Sequence, residues 1–161
     1  MLITRDKPIA TGRVTISAAP AEVYSLISDP PTMIQFAEEA YRATWLAGAT
    51  EAAVGAQFRG FNRNGRRRWV TTCEITELEP ERRFAYEVNT PFNVPISRWQ
   101  YDIEPADQGC VVTESNWLRV PLWFIPLAIM ITGVPNRIGA NNAHIATTLD
   151  RLKEHVEAGR P

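Results

Sequence analysis

Hydrophobic and polar positions along this chain change period several times, and each change marks an element. From Gly12 to Ala18, Val14 and Ile16 alternate with Arg13, Thr15 and Ser17, the period of two that predicts a strand. Val23, Leu26 and Ile27 then recur at helical spacing. Pro20 suits a first helical position, Glu22 suits the positive end, and Pro30-Pro31 stops the helix. A second short helix is predicted over Thr32–Ala37, with Thr32 as cap and Met33, Ile34 and Phe36 as anchors. After Ala40 the period returns to two. Tyr41–Trp45, Gln57–Arg63, Arg68–Leu78, Arg83–Asn89, Ile96–Glu104 and Cys110–Val120 read as six strands. Asn64-Gly65 is the strongest hairpin signal, and Glu79–Arg82 and Asp107–Gly109 mark further turns. The tail is helical: Ile138, Asn142 (or Asn141), Ile145, Leu149, Leu152 and Val156 recur at three and four, and Gly159 closes the helix.

This order predicts an α+β fold. A curved antiparallel sheet of about seven strands wraps a long C-terminal helix, with two short helices after the first strand. Each strand has one apolar face, which must be covered, and one long amphipathic helix is available to cover it. A curled sheet around one helix leaves room between them. Such room is costly in a close-packed protein and points to a ligand site.

With 161 residues, the chain fits one domain, 1–161, with a core at about 12–157. The 45% apolar content is that of a globular protein. A net charge of −1 provides no global field for a nucleic-acid backbone, so nucleic acid is not an expected partner. Arg63, Arg66, Arg67 and Arg68 surround Asn64-Gly65 and read as a solvated hairpin tip, or as a patch for an anionic head group or an acidic carrier protein. No apolar leader follows Met1–Pro8, which points to a cytoplasmic protein, and Cys73 and Cys110 read as buried free thiols. From Val120 to Asn136 the chain is uncharged and rich in Leu, Ile, Trp and Phe. It is too short and proline-broken for a membrane span, so it reads as a buried or lid segment able to touch a membrane transiently during lipid uptake.

Several stretches carry a family resemblance. They are Val14–Tyr24, Ser28-Asp29-Pro30, Gly55–Gly60, Trp69 after the basic turn, Glu79–Phe84, Trp99 with Tyr101, and Gly109 before Val112–Ser115. Together they resemble the START-like (SRPBCC) helix-grip superfamily, and within it the polyketide cyclase/dehydrase-like branch. The family often has Trp where Phe36 stands, and Gly-Gly-Thr where this chain has Gln108-Gly109-Cys110. The resemblance implies the helix-grip fold and an internal cavity. It leaves open two activities: a carrier or sensor of a lipid, fatty acyl chain or polyketide-like metabolite, and a polyketide cyclase/dehydratase.

Strand parity assigns Phe58, Gly60, Asn62, Trp69, Thr71, Cys73, Phe84, Tyr86, Val88, Trp99, Tyr101 and Ile103 to the concave side. From that wall Phe58, Trp69, Phe84, Tyr86, Trp99 and Tyr101 are expected to meet a ligand, with Asn116, Asn142 and Ile145 from the last strand and the helix. The last strand reads in two ways, turning inward either Val112, Glu114, Asn116 and Leu118 or Val111, Thr113, Ser115 and Trp117. The family's alternation favours the first. Glu114 would then stand on an apolar wall as a general acid or base, with Tyr101 as a hydrogen-bond donor and His144 as a third catalytic candidate. No metal-ligand spacing, phosphate loop or nucleophile triad is present, so neither metal nor cofactor is expected. Monomer and homodimer both fit the sequence.

Overall fold

The computed structural model describes residues 6–158, so the closing Gly159 and the first five residues of the leader reading lie outside it. Strand β1 (Ala10–Ile16) is followed by helices α1 (Pro20–Ile27) and α2 (Pro30–Met33), the latter continued by a 3-10 turn over Ile34–Phe36. Six strands follow: β2 (Ala40–Trp45), β3 (Gln57–Asn64), β4 (Arg67–Glu79), β5 (Arg83–Asn89), β6 (Pro95–Ala106) and β7 (Gly109–Leu118). A 3-10 turn over Leu122–Phe124 leads into α3 (Ile125–Thr132), and α4 (Arg137–Glu157) ends the fold. The seven strands form one antiparallel sheet in the order β1-β7-β6-β5-β4-β3-β2. This is the helix-grip arrangement that the periodicity predicts.

Three of the boundaries that differ from the sequence reading have a clear local reason. The first strand starts two residues earlier, because Ala10 and Thr11 pair with Asn116 and Ser115. The second short helix starts at Pro30, not Thr32. Two prolines fit a first helical turn, whose N–H groups have no intrahelical partner anyway. Thr32 therefore sits inside the helix, where its hydroxyl donates to Asp29 Oδ2 at 2.5 Å. The β3–β4 hairpin turns on Gly65-Arg66, one residue beyond Asn64-Gly65, with Gly65 at a φ of 59°. A positive φ at the first of two turn residues suits a Gly-X hairpin.

A bulge between Ile75 and Glu77 changes the parity of β4 midway. Ile75 and Leu78 thus both stay on the inner side, opposite Tyr86 and Phe84. Glu77 turns outward to an ion-pair network on the convex face with Arg83 and Arg98, which also reaches Glu87 and Asp102.

Helix α4 lies along β1. Gly12 allows that approach, since a Cβ there would fall 2.7 Å from Ile145 Cγ2. Its buried stripe is Asn141, Ile145, Thr148, Leu149, Leu152 and Val156. Ile138 and Asn142, predicted for that stripe, are exposed, and the Asn142 amide donates back to Ile138 O. Helices α1 and α2 and the 3-10 turn after them close one end of the concave face with Val23, Ile27, Met33 and Phe36. Among the described residues, no single helix is long and apolar enough to cross a membrane.

Candidate functional site

Between the concave face, the first half of α4 and α3 lies a cavity of about 580 Å3. Its walls follow from strand alternation. Phe58, Gly60, Thr71 and Cys73 from β3 and β4 face it, as do Tyr86 and Val88 from β5 and Ser97, Trp99 and Tyr101 from β6. Trp69 lines it nearer the edge. Phe58 and Tyr86 meet edge-to-face at 5.3 Å between ring centres, which stiffens the wall.

The last strand turns Val112, Glu114 and Asn116 inward and buries them. Glu114 lines the cavity at 3% exposure. Its Oε1 accepts a hydrogen bond from the Tyr101 hydroxyl at 2.8 Å, and that hydroxyl also lies 3.6 Å from Met33 Sδ. Its Oε2 is buried with no hydrogen-bond partner. Burial raises the Glu114 carboxyl from the usual 4.5 to about 8, and the Tyr101 hydrogen bond only partly opposes this. Burial, with Glu114 nearby, also drives Tyr101 well above its ordinary value. The Cys73 thiol is pushed up to about 12 by burial, which leaves it unsuited to nucleophilic work. Cys73 and Cys110 are both free and buried.

Of the three catalytic candidates, Glu114 and Tyr101 meet. His144 does not join them: it stands at the cavity's edge, its Nε2 3.7 Å from Glu38 Oε2. Beside it, Arg137 Nη1 donates to both carboxylate oxygens of Glu39 at 3.0 Å, tying the start of α4 to the chain before β2. Four predicted ligand contacts lie outside the cavity lining. Phe84 is fully buried one step deeper than Tyr86 on β5, in the core closed by α1. Ile145 is spent against Gly12, and Asn142 faces solvent. Asn116 points inward but is covered by Asn141, whose amide donates to Asn116 Oδ1 at 2.7 Å while Asn116 donates to Arg98 O. Ile103, assigned to the concave side, is likewise core and not cavity wall.

Asn141 and Thr148 line the α4 side of the cavity with His144; the sequence reading had Asn141 only as the alternative to Asn142 on the helix stripe and missed Thr148. Asn141 and Thr148 lie seven apart, two helical turns, so their register with Ile145 was available as a signal. The Val120–Asn136 segment forms the outer wall. Phe124, Ile125, Ala128 and Ile131 line the cavity, while Leu122, Trp123 and Met130 are 79%, 71% and 63% exposed. The basic hairpin tip holds this wall in place. Arg67 donates to Met130 O and Asn64 Nδ2 donates to Thr132 O at 2.9 Å, both at the negative end of α3. Arg63 and Arg68 stack on Tyr41 at 5.1 and 5.5 Å. No group of three or more His, Cys, Asp or Glu among the described residues is placed to hold a metal ion.

A family model described as polyketide cyclase/dehydrase and lipid transport matches residues 7–157. A search of curated proteins returned no match. Among solved structures, the chain is similar to a polyketide cyclase-like protein of Corynebacterium glutamicum, at 25% identity and a TM-score of 0.61, covering 95% of this chain and 94% of that one. It is also similar in fold to the di-domain aromatase/cyclase of the steffimycin biosynthetic pathway, at 13% identity and a TM-score of 0.70, over 92% of this chain and 50% of that one. A third is the Aha1 dimer of Colwellia psychrerythraea, at 15% identity and a TM-score of 0.62, over 94% and 98%.

Proposed function

This chain belongs to the polyketide cyclase/dehydrase and lipid transport family, and from that premise we propose that it binds a hydrophobic small molecule, a lipid, fatty acyl chain or polyketide-like metabolite, as a carrier or sensor. The observation that carries the reading is the cavity itself, about 580 Å3, whose lining surface is mostly apolar. Space of that size in an apolar interior forgoes packing, and a ligand of matching chemistry recovers it. Native mass spectrometry of the purified protein is expected to show a retained apolar molecule, or tight uptake of an added fatty acid. A protein that takes up neither fatty acid nor aromatic probe refutes the reading.

The exposed Leu122, Trp123 and Met130 on the outer wall support loading from a membrane surface. Co-flotation with anionic vesicles, reduced in a Trp123→Ser variant, is the expected result, and a protein that never floats removes this route.

A second reading, a cyclase or dehydratase, is favoured by the buried Glu114–Tyr101 pair. A carboxyl held near neutral pH beside a hydroxyl donor suits removal of a proton alpha to a carbonyl. Turnover of a polyketide-like substrate, lost in both Glu114→Gln and Tyr101→Phe, would establish it. Unchanged turnover in both would remove these two residues from any mechanism.

A further inference from the structure

Glu114 poses a problem that core packing does not solve. A carboxyl at 3% exposure normally finds partners for both oxygens, and this one satisfies Oε1 alone. Its Oε2 is buried and unpartnered, in a side chain that lines the cavity. Among the described residues no cation pairs with it. Across β1 its register partner is Gly12, and across β6 it is Tyr101. Elsewhere on the cavity lining Arg137 pairs with Glu39, and the His144 ring lies 3.7 Å from Glu38.

The hydrogen-bond pattern decides where a proton sits. With Oε1 accepting from Tyr101, a proton on the carboxyl belongs on Oε2, where no protein group among the described residues accepts it. We infer that Glu114 works as a neutral acid that donates from Oε2 to the ligand, so the cavity selects apolar molecules that carry a hydrogen-bond acceptor, such as a carbonyl oxygen, at the end seated between Glu114 and Met33. This rests on the binding reading above and adds to it the ligand's polar end and its orientation, with the apolar body toward α3. An amine is disfavoured, because it would need a buried ion pair where a neutral bond suffices. The raised Glu114 value agrees with a neutral acid at physiological pH. The titratable groups around it are Tyr101 on β6, Tyr86 on β5, Cys73 on β4 and His144 on α4. The first three are all raised by burial and stay protonated beyond pH 8.

A pair of near-isosteric probes tests the inference: 2-acetylnaphthalene, which has a carbonyl, and 2-isopropenylnaphthalene, which has a methylene in its place. Binding is measured by calorimetry and by quenching of tryptophan emission. At pH 6.5 the wild-type protein is expected to favour the ketone about tenfold, the usual worth of one buried hydrogen bond. That preference should disappear as pH rises through about 8, where Glu114 loses its proton. Glu114→Gln keeps a donor in the same place, so it should retain the preference and lose its pH dependence. Glu114→Leu should bind both probes alike. Equal wild-type affinity for the two probes overturns this inference and leaves the binding reading standing. Binding of neither probe overturns this inference, and failure to take up fatty acid as well overturns the binding reading. A ketone preference that survives at pH 9.5, or that Glu114→Gln abolishes, overturns the neutral-donor role. The pH series and the Gln variant decide the matter even if the Leu variant fails to fold.

Discussion

Phe84 and Tyr86 stand two residues apart on β5, on the same face, and meet at 5.6 Å between ring centres, yet they belong to different regions of the molecule. Phe84 is at the closed end, where α1 lies against β5 and β6 and the interior is filled. Tyr86 begins the hollow end, where Val88, Trp99 and Trp69 face empty space and α3 forms the far wall. The contrast repeats on neighbouring strands. Ile103 is core and Tyr101 is wall on β6, and Val112 is core and Glu114 is wall on β7. One alternating pattern thus produces both a core and a container, and what divides them is the reach of α1, α2 and the second half of α4. The polar pair sits at the dividing line. It meets the ligand space from one side, while the packed core on the other keeps water away and pushes the Glu114 carboxyl up by burial.

The sharpest way to break this comparison is to truncate a side chain at each of the two ends. Phe84→Ala should cost about 3–5 kcal/mol in urea denaturation, as removal of a packed aromatic does. Val88→Ala, already facing space, should cost about 1 kcal/mol or less. Equal costs would mean that the hollow end is filled in solution.

The dividing line has its own signature in pH. Glu114 is raised in the fold from near 4.5 to about 8, so the folded state holds its proton where the unfolded chain has released it. Its contribution is complete below pH 4.5 and is lost as pH rises through 8. The slope amounts to roughly 2–3 kcal/mol once relaxation and water entry are allowed for. Glu114→Gln should flatten the stability curve across that window, and an unchanged slope would place the carboxyl in water.

Filling the hollow end is a milder test. Ala128→Trp on α3 should preserve the fold and weaken hydrophobic probe binding about tenfold or more. Full binding by that variant would mean that α3 swings away from the cavity. The smallest effect belongs to the tie between hairpin tip and outer wall. Arg67→Ala removes a cation at the C-terminal end of α3, worth about 0.3–1 kcal/mol. Hydrogen exchange should show α3 amides opening severalfold faster while α4 is unchanged.

The direction of Glu114 was open in the sequence because β7 has plausible residues on both faces: Val112 and Leu118 on one, Val111 and Trp117 on the other. Pairing with β6 decided it, by setting Glu114 opposite Tyr101. The helix stripe was left open between Asn141 and Asn142 at its N-terminal end, since the two are the same residue type and a periodicity cannot choose between them. The hydrogen bond to Asn116 chose. The ligand contacts assigned to Phe84 and Ile145 failed to reach the cavity for the same kind of reason. Alternation reports which face a side chain is on, but not how far another element covers that face.

Periodicity and turn chemistry are local properties, written in spacings of two to four residues and in Gly and Pro positions. They were enough to determine seven strands, the short helices after the first, the long closing helix and hence the helix-grip order. Depth is not local. The extent of the cavity, the unpartnered oxygen of Glu114 and the placing of 122–132 as its outer wall depend on where separate elements stop covering one another. Only the tertiary structure decided those.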